Sequence, residues 1–341
     1  MKSLVLPPLS ALYGAIIRSR TALYERGTFR TFKLERPVIS IGNITTGGTG
    51  KTPLVEWAAR LLANSGKNVC ILTRGYGREN PGQRVLVSDG KSVFADPSQA
   101  GDEPFQLATD LLGVAAVVSD ADRFAAGEGA IQHLSTDCFV LDDGFQHLQL
   151  ARDLNIVTVD ATDPWGGGQM LPYGRLREPR SGLKRADCIM LTRCEQVDDL
   201  EPLRAEISRQ AGDRPIFQAR MRTRRISPIW ESTDDSKPEE PIAAFCAVGN
   251  PESFFVHLKK EGHKLTLQKS FRDHHVYTQD EVSRLSKAAK ASGAKSLVTT
   301  TKDAVKLRAF DFEIPCYKLE IDLEIESDEE LKRMILVSAA R

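Results

Sequence analysis

The sequence predicts an α/β protein of the P-loop NTPase type. It has a doubly wound, mostly parallel sheet, a second, smaller α/β domain and an N-terminal amphipathic helix. Three observations predict it. Short apolar, β-branched runs alternate with apolar residues at helical spacing, the pattern of parallel strands joined by crossover helices. Val38-Ile39-Ser40-Ile41 leads into the glycine-rich stretch Gly47-Gly48-Thr49-Gly50-Lys51-Thr52, and Leu54, Val55, Trp57, Ala58, Leu61 and Leu62 follow at helical spacing. A polar, proline-punctuated tract, 232–241, then separates a long N-terminal part from a shorter repeat of strand and helix patterns. The domain boundaries read as 1–30 for the N-terminal helix region, 31–225 for the P-loop domain, 226–240 for a linker and 241–341 for the smaller domain.

Strand, glycine loop, Gly-Lys-Thr and helix in that order are the parts of a P-loop. Glycines let backbone N–H groups turn inward around phosphate oxygens, and the helix N-terminus adds the positive end of its dipole. Thr46, Gly47, Gly48, Thr49, Gly50, Lys51 and Thr52 are therefore the candidate nucleotide-binding residues. Lys51 is expected to reach the β- and γ-phosphates and the Thr52 hydroxyl to ligate Mg²⁺. Pro53 suits the first helical turn, where a missing N–H costs nothing. The general eight-residue pattern places its first glycine at 45, where this chain has Thr45.

Composition narrows the classes. At 341 residues there is core enough for two domains, and 46 basic residues balance 46 acidic ones, so no overall charge points to nucleic acid. The six cysteines form no Cys-x-x-Cys pair. Cys70, Cys138, Cys188 and Cys246 sit in apolar runs, the pattern of buried, reduced thiols and not of a disulfide frame or zinc site.

Taken in order, the chain opens with a stretch uncharged between Lys2 and Arg18. Leu9, Leu12, Tyr13, Ile16 and Ile17 fall on one helical face. Residues 1–36 carry seven Lys and Arg against two Glu. The apolar stretch is too short to span a bilayer. Two partners fit its face: an anionic lipid surface held by basic anchors, or the protein's own core. After the P-loop helix, 68–72 reads as a strand ending at Thr73-Arg74-Gly75-Tyr76-Gly77-Arg78, at an edge where α/β sheets bind ligands. The loop Gly101-Asp102-Glu103-Pro104 carries adjacent carboxylates. Strands follow at 114–118 and 138–142, the second ending in Asp142-Asp143-Gly144-Phe145-Gln146-His147. An apolar strand ending in aspartate downstream of a P-loop is the expected Walker B, with Asp142 holding Mg²⁺. Residues 154–160 and 188–192 are further strands. Between them, 164–179 combines glycines, aromatics and arginines, and Arg175 and Arg177 are candidate phosphate ligands. The smaller domain reads as strands at 242–248, 264–270, 296–300 and 316–321 with a helix at 279–292. Its turn Phe271-Arg272-Asp273-His274-His275 offers a carboxylate-supported imidazole as a proton relay.

These motifs, with Gly174-Arg175-Leu176-Arg177-Glu178-Pro179 and Thr301-Lys302-Asp303-Ala304, stand in one order from about 40 to 304. Together they resemble the tetraacyldisaccharide 4′-kinase family, the lipid A 4′-kinases. Thr45 is part of that family's pattern, whereas Thr301 stands where relatives often carry an acid. The resemblance implies a kinase on the cytoplasmic face of the inner membrane, peripherally bound. It implies transfer of the γ-phosphate of ATP to the 4′-hydroxyl of a tetraacylated glucosamine disaccharide 1-phosphate, with no nucleic acid and no obligate protein partner. It further implies Asp102 as the catalytic base paired with His274, and Thr52, Glu103 and Asp142 as Mg²⁺ ligands. Lys51 acts on the phosphates, and Arg74, Tyr76, Gln146, His147 and Arg175 on the substrate. With Asp102 and His274 in different domains, closure is expected to complete the site.

Two rivals share the glycine loop. A membrane-bound ATPase switch of the MinD/ParA sort wants a lysine where this chain has Thr46. A GTPase wants [NT]-K-x-D, and Thr301-Lys302-Asp303 is one residue out of register.

Overall fold

The computed structural model describes residues 5–230 and 236–340. Part of the expected linker, 231–235, lies outside the described residues. The chain divides into two compact units, Met1–Arg220 with Leu323–Arg341, and Met221–Asp322. The sequence reading placed 31–225 in one domain and 241–341 in the other. In the structure, the last residues return to the first unit.

The first unit opens with α1 (Leu6–Glu25). β1 (Val38–Asn43) and α2 (Lys51–Asn64) follow, then β2 (Val69–Thr73), β3 (Val85–Ser88), α3 (Pro97–Ala100) and α4 (Asp102–Asp110). Next come β4 (Ala115–Ser119), α5 (Arg123–Leu134), β5 (Cys138–Asp142), β6 (Leu154–Asp160), β7 (Cys188–Thr192), α6 (Glu201–Ala211) and β8 (Ile216–Pro228). The strand order is β8-β7-β6-β1-β5-β2-β4-β3. The paired neighbours are parallel except β3, which lies antiparallel on β4. β1, β2, β4, β5, β6 and β7 are buried along their whole length. Both faces of the sheet are covered, which is why these strands read as continuous apolar runs.

β1 has the later strands β5 and β6 on its two sides, so the strand order turns in both directions at its carboxyl end. Open α/β sheets bind ligands at such a switch point. The register sets Ile41 beside Asp142, which brings the P-loop and the end of β5 together. Gly42 makes the approach closer still: a Cβ there would lie 2.6 Å from both the Cβ and the backbone N of Phe145.

β9 (Ile242–Cys246), α7 (Pro251–Lys260), β10 (Leu265–Ser270), α8 (Gln279–Ala291), β11 (Ser296–Thr300), α9 (Thr301–Leu307) and β12 (Cys316–Ile325) follow in the second unit. Their strand order is β10-β9-β11-β12, parallel throughout. Apolar clusters cover both faces, one around Phe245 and Leu285, the other around Phe254 and Leu319. α10 (Glu329–Ala339) then packs on α2 and β1 of the first unit.

α1 packs by its small residues. Ser10 and Gly14 are its buried positions, and the Ser10 hydroxyl donates to the Met170 carbonyl at 2.8 Å. Val5, Leu9, Leu12 and Ile16 point outward, and Tyr13 and Ile17 are half-buried. Among the described residues no helix is long and apolar enough to cross a membrane. All six cysteines are buried and unpaired.

Gly42→Ala is expected to destabilise the first unit by about 1–3 kcal/mol, since overpacking against backbone has no cheap relief. Denaturant unfolding of the variant checks this.

Candidate active site

The P-loop leaves β1 at Asn43 and enters α2 at Lys51. Gly47 and Gly50 have φ of 112° and 75°, values that a side chain would strain. The loop is braced from below. The Asn43 side-chain amide donates to Thr49 Oγ1 at 2.9 Å, and that hydroxyl lies 2.7 Å from Thr158 Oγ1 on β6. Thr192, at the end of β7, donates to the Thr49 carbonyl at 2.9 Å. Thr49 was expected among the nucleotide-binding residues. Its hydroxyl is buried as a strut between β1 and β6, while Thr46, Gly47, Gly50, Lys51 and Thr52 are half-buried and Gly48 is exposed.

The two acids after β5 have opposite surroundings. Asp142 is buried and accepts from Thr73 Oγ1 at 3.1 Å. Burial, then the charges of Glu103 and Asp143, push its carboxyl up to about 7. Asp143, held at φ 51°, faces Lys51 Nζ at 3.6 Å, and its two oxygens accept from Arg177 Nη1 at 2.7 and 2.9 Å. Burial opposes its charge, but the neighbouring Lys51 and Arg177 hold the carboxyl well below the usual carboxylate range.

Arg177 also donates to Asn43 Oδ1 at 3.2 Å. Gln146 donates to the Asn43 carbonyl at 2.8 Å and to Glu178 at 2.5 Å, and Glu178 accepts from Arg185 at 2.6 Å. The loop carrying Arg177 is tied to the P-loop by the Thr46 N–H, which donates to the Arg175 carbonyl at 2.7 Å. α1 closes on that loop and on the turn after β5: Tyr13 donates to the Arg177 carbonyl at 3.0 Å and Arg20 to the Gln146 carbonyl at 3.2 Å.

The profile of the tetraacyldisaccharide-1-P 4'-kinase family matches residues 2–340. A tetraacyldisaccharide 4'-kinase of Geobacter metallireducens is 43% identical over 315 residues, covering 89% of this chain and 88% of that protein. The chain belongs to this family. The enzyme of that name from Desulfotalea psychrophila is 38% identical, with 94% and 92% covered. A crystal structure described as the "apo" form of LpxK from Aquifex aeolicus in complex with ATP superposes with a TM-score of 0.77 at 34% identity, covering 97% of each chain.

Other residues expected from the family motifs fall as follows. Asp102 and Glu103 open α4, directly after Gly101, which has φ 92°. A Cβ on Gly101 would lie 2.8 Å from the Tyr76 carbonyl, and one on Gly75 would lie 2.8 Å from the Ala100 carbonyl. The turn with Arg74 and Tyr76 is thus packed on the turn with the two acids, and both named side chains are exposed. The Arg175 guanidinium pairs with Asp163, and Arg177 is the arginine on Asp143. His147 is half-buried, and burial together with the charges of Arg123 and Arg152 pushes its imidazole down to about 4.

Arg123 was missed by the sequence reading. It is buried at the start of α5, and burial, followed by the charge of Arg74, pushes its guanidinium down to about 10. Asp143, Asp142 and Asp120 act in the opposite direction. Its signal was positional: it follows Ser119-Asp120-Ala121-Asp122 at the carboxyl edge of a buried strand.

In the second unit, His274 follows β10 at φ 59°. His275 faces Glu281 at 3.1 Å and stacks on Phe271.

Among the described residues no three His, Cys, Asp or Glu side chains gather to hold an ion by themselves. A buried Asp142 pushed up by two other carboxylates is nonetheless a place that a cation would relieve. Thr52, Asp142 and Glu103 supply hard oxygen donors in the small number that Mg²⁺ takes alongside phosphate and water. A ligating carboxylate must shed its proton. Mg²⁺-dependent ATP affinity is therefore expected to fall by about tenfold per pH unit below about 7, with one proton released on binding. Calorimetry in buffers of different ionisation enthalpy measures that proton.

Proposed function

We propose that this protein transfers the γ-phosphate of ATP to the 4′-hydroxyl of a tetraacylated glucosamine disaccharide 1-phosphate, a step of lipid A synthesis. One observation carries the reading: Lys51, Asp142, Asp143 and Arg177 converge at the carboxyl end of β1 in a chain of this family. Lys51 and the P-loop amides bind the β- and γ-phosphates. Thr52, Asp142 and Glu103 hold Mg²⁺, which supplies charge neutralisation on the phosphate oxygens. Asp143 steadies Lys51 and Arg177, two cations for the negative charge spread over the transferring group.

Asp102 accepts the proton of the sugar hydroxyl as the new O–P bond forms. The bond from the γ-phosphorus to the β–γ bridging oxygen breaks, and ADP leaves. His274 is the partner of Asp102. Arg74, Tyr76, Gln146 and His147 receive the sugar and its phosphate. General-base help typically contributes ~10²–10⁴-fold. With the disaccharide 1-phosphate and labelled ATP, Asp102→Ala and His274→Ala are each expected to lower kcat strongly at unchanged ATP affinity. The double variant should be little worse than the poorer single one, because groups that act as a unit are not additive. ATP turnover without label on the glycolipid would replace this reading with that of an ATPase switch.

The protein works as a peripheral enzyme on the cytoplasmic face of the inner membrane. Leu9, Leu12 and Ile16, with Val5 just ahead of α1, form an outward apolar stripe, flanked by basic residues. Leu12→Asp with Ile16→Asp removes about 1.5–3 kcal/mol of apolar burial at each position. The pair is expected to free the protein from anionic vesicles in a flotation assay at unchanged ATP affinity. Retention on the vesicles would exclude α1 as the anchor.

A further inference from the structure

Thr301-Lys302-Asp303 is the motif that the reaction above leaves without a role. It opens α9, and its acid is a fully buried anchor. Asp303 accepts from the Ala247 N–H at 2.9 Å, from Thr300 Oγ1 at 2.8 Å and from the Tyr277 hydroxyl at 3.1 Å. Tyr277 belongs to the turn that carries His274. Lys306, one helical turn beyond Lys302, donates to the His275 carbonyl of that turn at 3.2 Å. The start of α9 and the histidine turn are therefore fixed to each other inside the second unit.

Within that frame Lys302 Nζ lies 3.3 Å from His274 Nε2 and 3.3 Å from Asp273 Oδ1. Asp273 Oδ1 also accepts from the His274 backbone N–H at 3.0 Å, which helps hold His274 in its left-handed conformation. An ammonium has three donors and no acceptor. A ring nitrogen facing it must offer a lone pair, and in a neutral imidazole the proton is then on the other nitrogen.

We propose that Lys302 is a positioning residue that fixes His274 as the Nδ1–H tautomer. The next residue is held the opposite way. His275 Nε2 faces the Glu281 carboxylate at 3.1 Å, an acceptor, so its proton is on Nε2. The charged and titratable groups around His274 are Asp273 and Lys302 in contact, with His275, Glu281, Asp303 and Lys306 behind them.

The inference bears on the chemistry through the proposed role of His274, on which this part rests. With Nε2 facing Lys302, the ring carries its proton on the buried Nδ1. Nε2 then does not itself take up the hydroxyl proton, so the base is a carboxylate.

The test is ¹⁵N-edited NMR of the full chain with labelled histidine at about pH 8, above the ordinary imidazole range, with His274→Gln and His275→Gln to assign signals. The expected spectrum shows His274 with a pyridine-type Nε2 and a pyrrole-type Nδ1, and His275 the reverse. Lys302→Met is expected to mix the His274 signals, leave those of His275 in place and lower kcat by at least about tenfold at unchanged ATP affinity, as loss of a tautomer-setting partner does elsewhere. Lys302→Arg, which keeps a donor cation, should restore the His274 pattern. A protonated Nε2 on His274 in the unaltered protein overturns the proposal, and so does a Lys302→Met spectrum identical to it. The unaltered protein decides the tautomer even where the variant fails to fold. The spectrum does not depend on turnover: the expected tautomer with full activity in His274→Gln would remove the catalytic role and leave the tautomer assignment standing.

Discussion

Crowding of like charge at the end of β5 is the constraint on which the first unit depends. Asp142 and Asp143 are adjacent in sequence, and Glu103 adds a third carboxylate whose charge Asp142 feels. Such a group is costly to assemble away from water unless cations are brought to it. The architecture supplies them from separate directions. The parallel register delivers the P-loop, and with it Lys51, to the end of β5. The long loop after β6 delivers Arg177, and the start of α5 adds the field of Arg123. Gly42, by letting Phe145 sit against β1, sets how near the acids come to the loop that answers them.

The loop that carries Arg177 is more structured than its glycines suggest. Its backbone bonds to Thr46 and to the Ile44 carbonyl, and Leu176 pairs with Thr45. Trp165 and Leu176 bury themselves in the core cluster of Val157, Ile189 and Leu191. The hydrogen bonds and the apolar contacts together hold one arginine of the motif on Asp143 while the other pairs with Asp163.

Much of this was legible in the sequence because strands buried on both faces show as unbroken apolar runs. β1, β2, β5, β6 and β7 read directly, and so did the P-loop and the aspartate closing β5. β8 was hidden because its alternation is carried by arginines: the exposed Arg220 and Arg222 alternate with the buried Ala219 and Met221. β3 is four residues long and half-covered at the edge of the sheet, too short to give a pattern. The return of α10 to the first unit is a tertiary choice, with Leu331 and Ile335 buried on its inner face, that no local signal announces. On α1 the apolar face was visible, but the sequence could not say which face meets the protein. Two small residues, Ser10 and Gly14, decide it by allowing close approach. Arg175 and Arg177 were indistinguishable as motif letters, and Thr49 looked like its P-loop neighbours. Hydrogen-bond geometry separates them.

The three side chains that α1 sends into the protein have a practical consequence. Ser10, Tyr13 and Arg20 each bond a backbone carbonyl, those of Met170, Arg177 and Gln146. A chain trimmed of its first helix for easier handling would lose three supports of the segments that bear Arg177 and Gln146. Its kinetics would report a loosened site as well as the loss of the helix itself. Point changes on the outward Leu9, Leu12 and Ile16 keep those bonds, so they are the cleaner way to make a well-behaved sample whose rates still describe the whole enzyme.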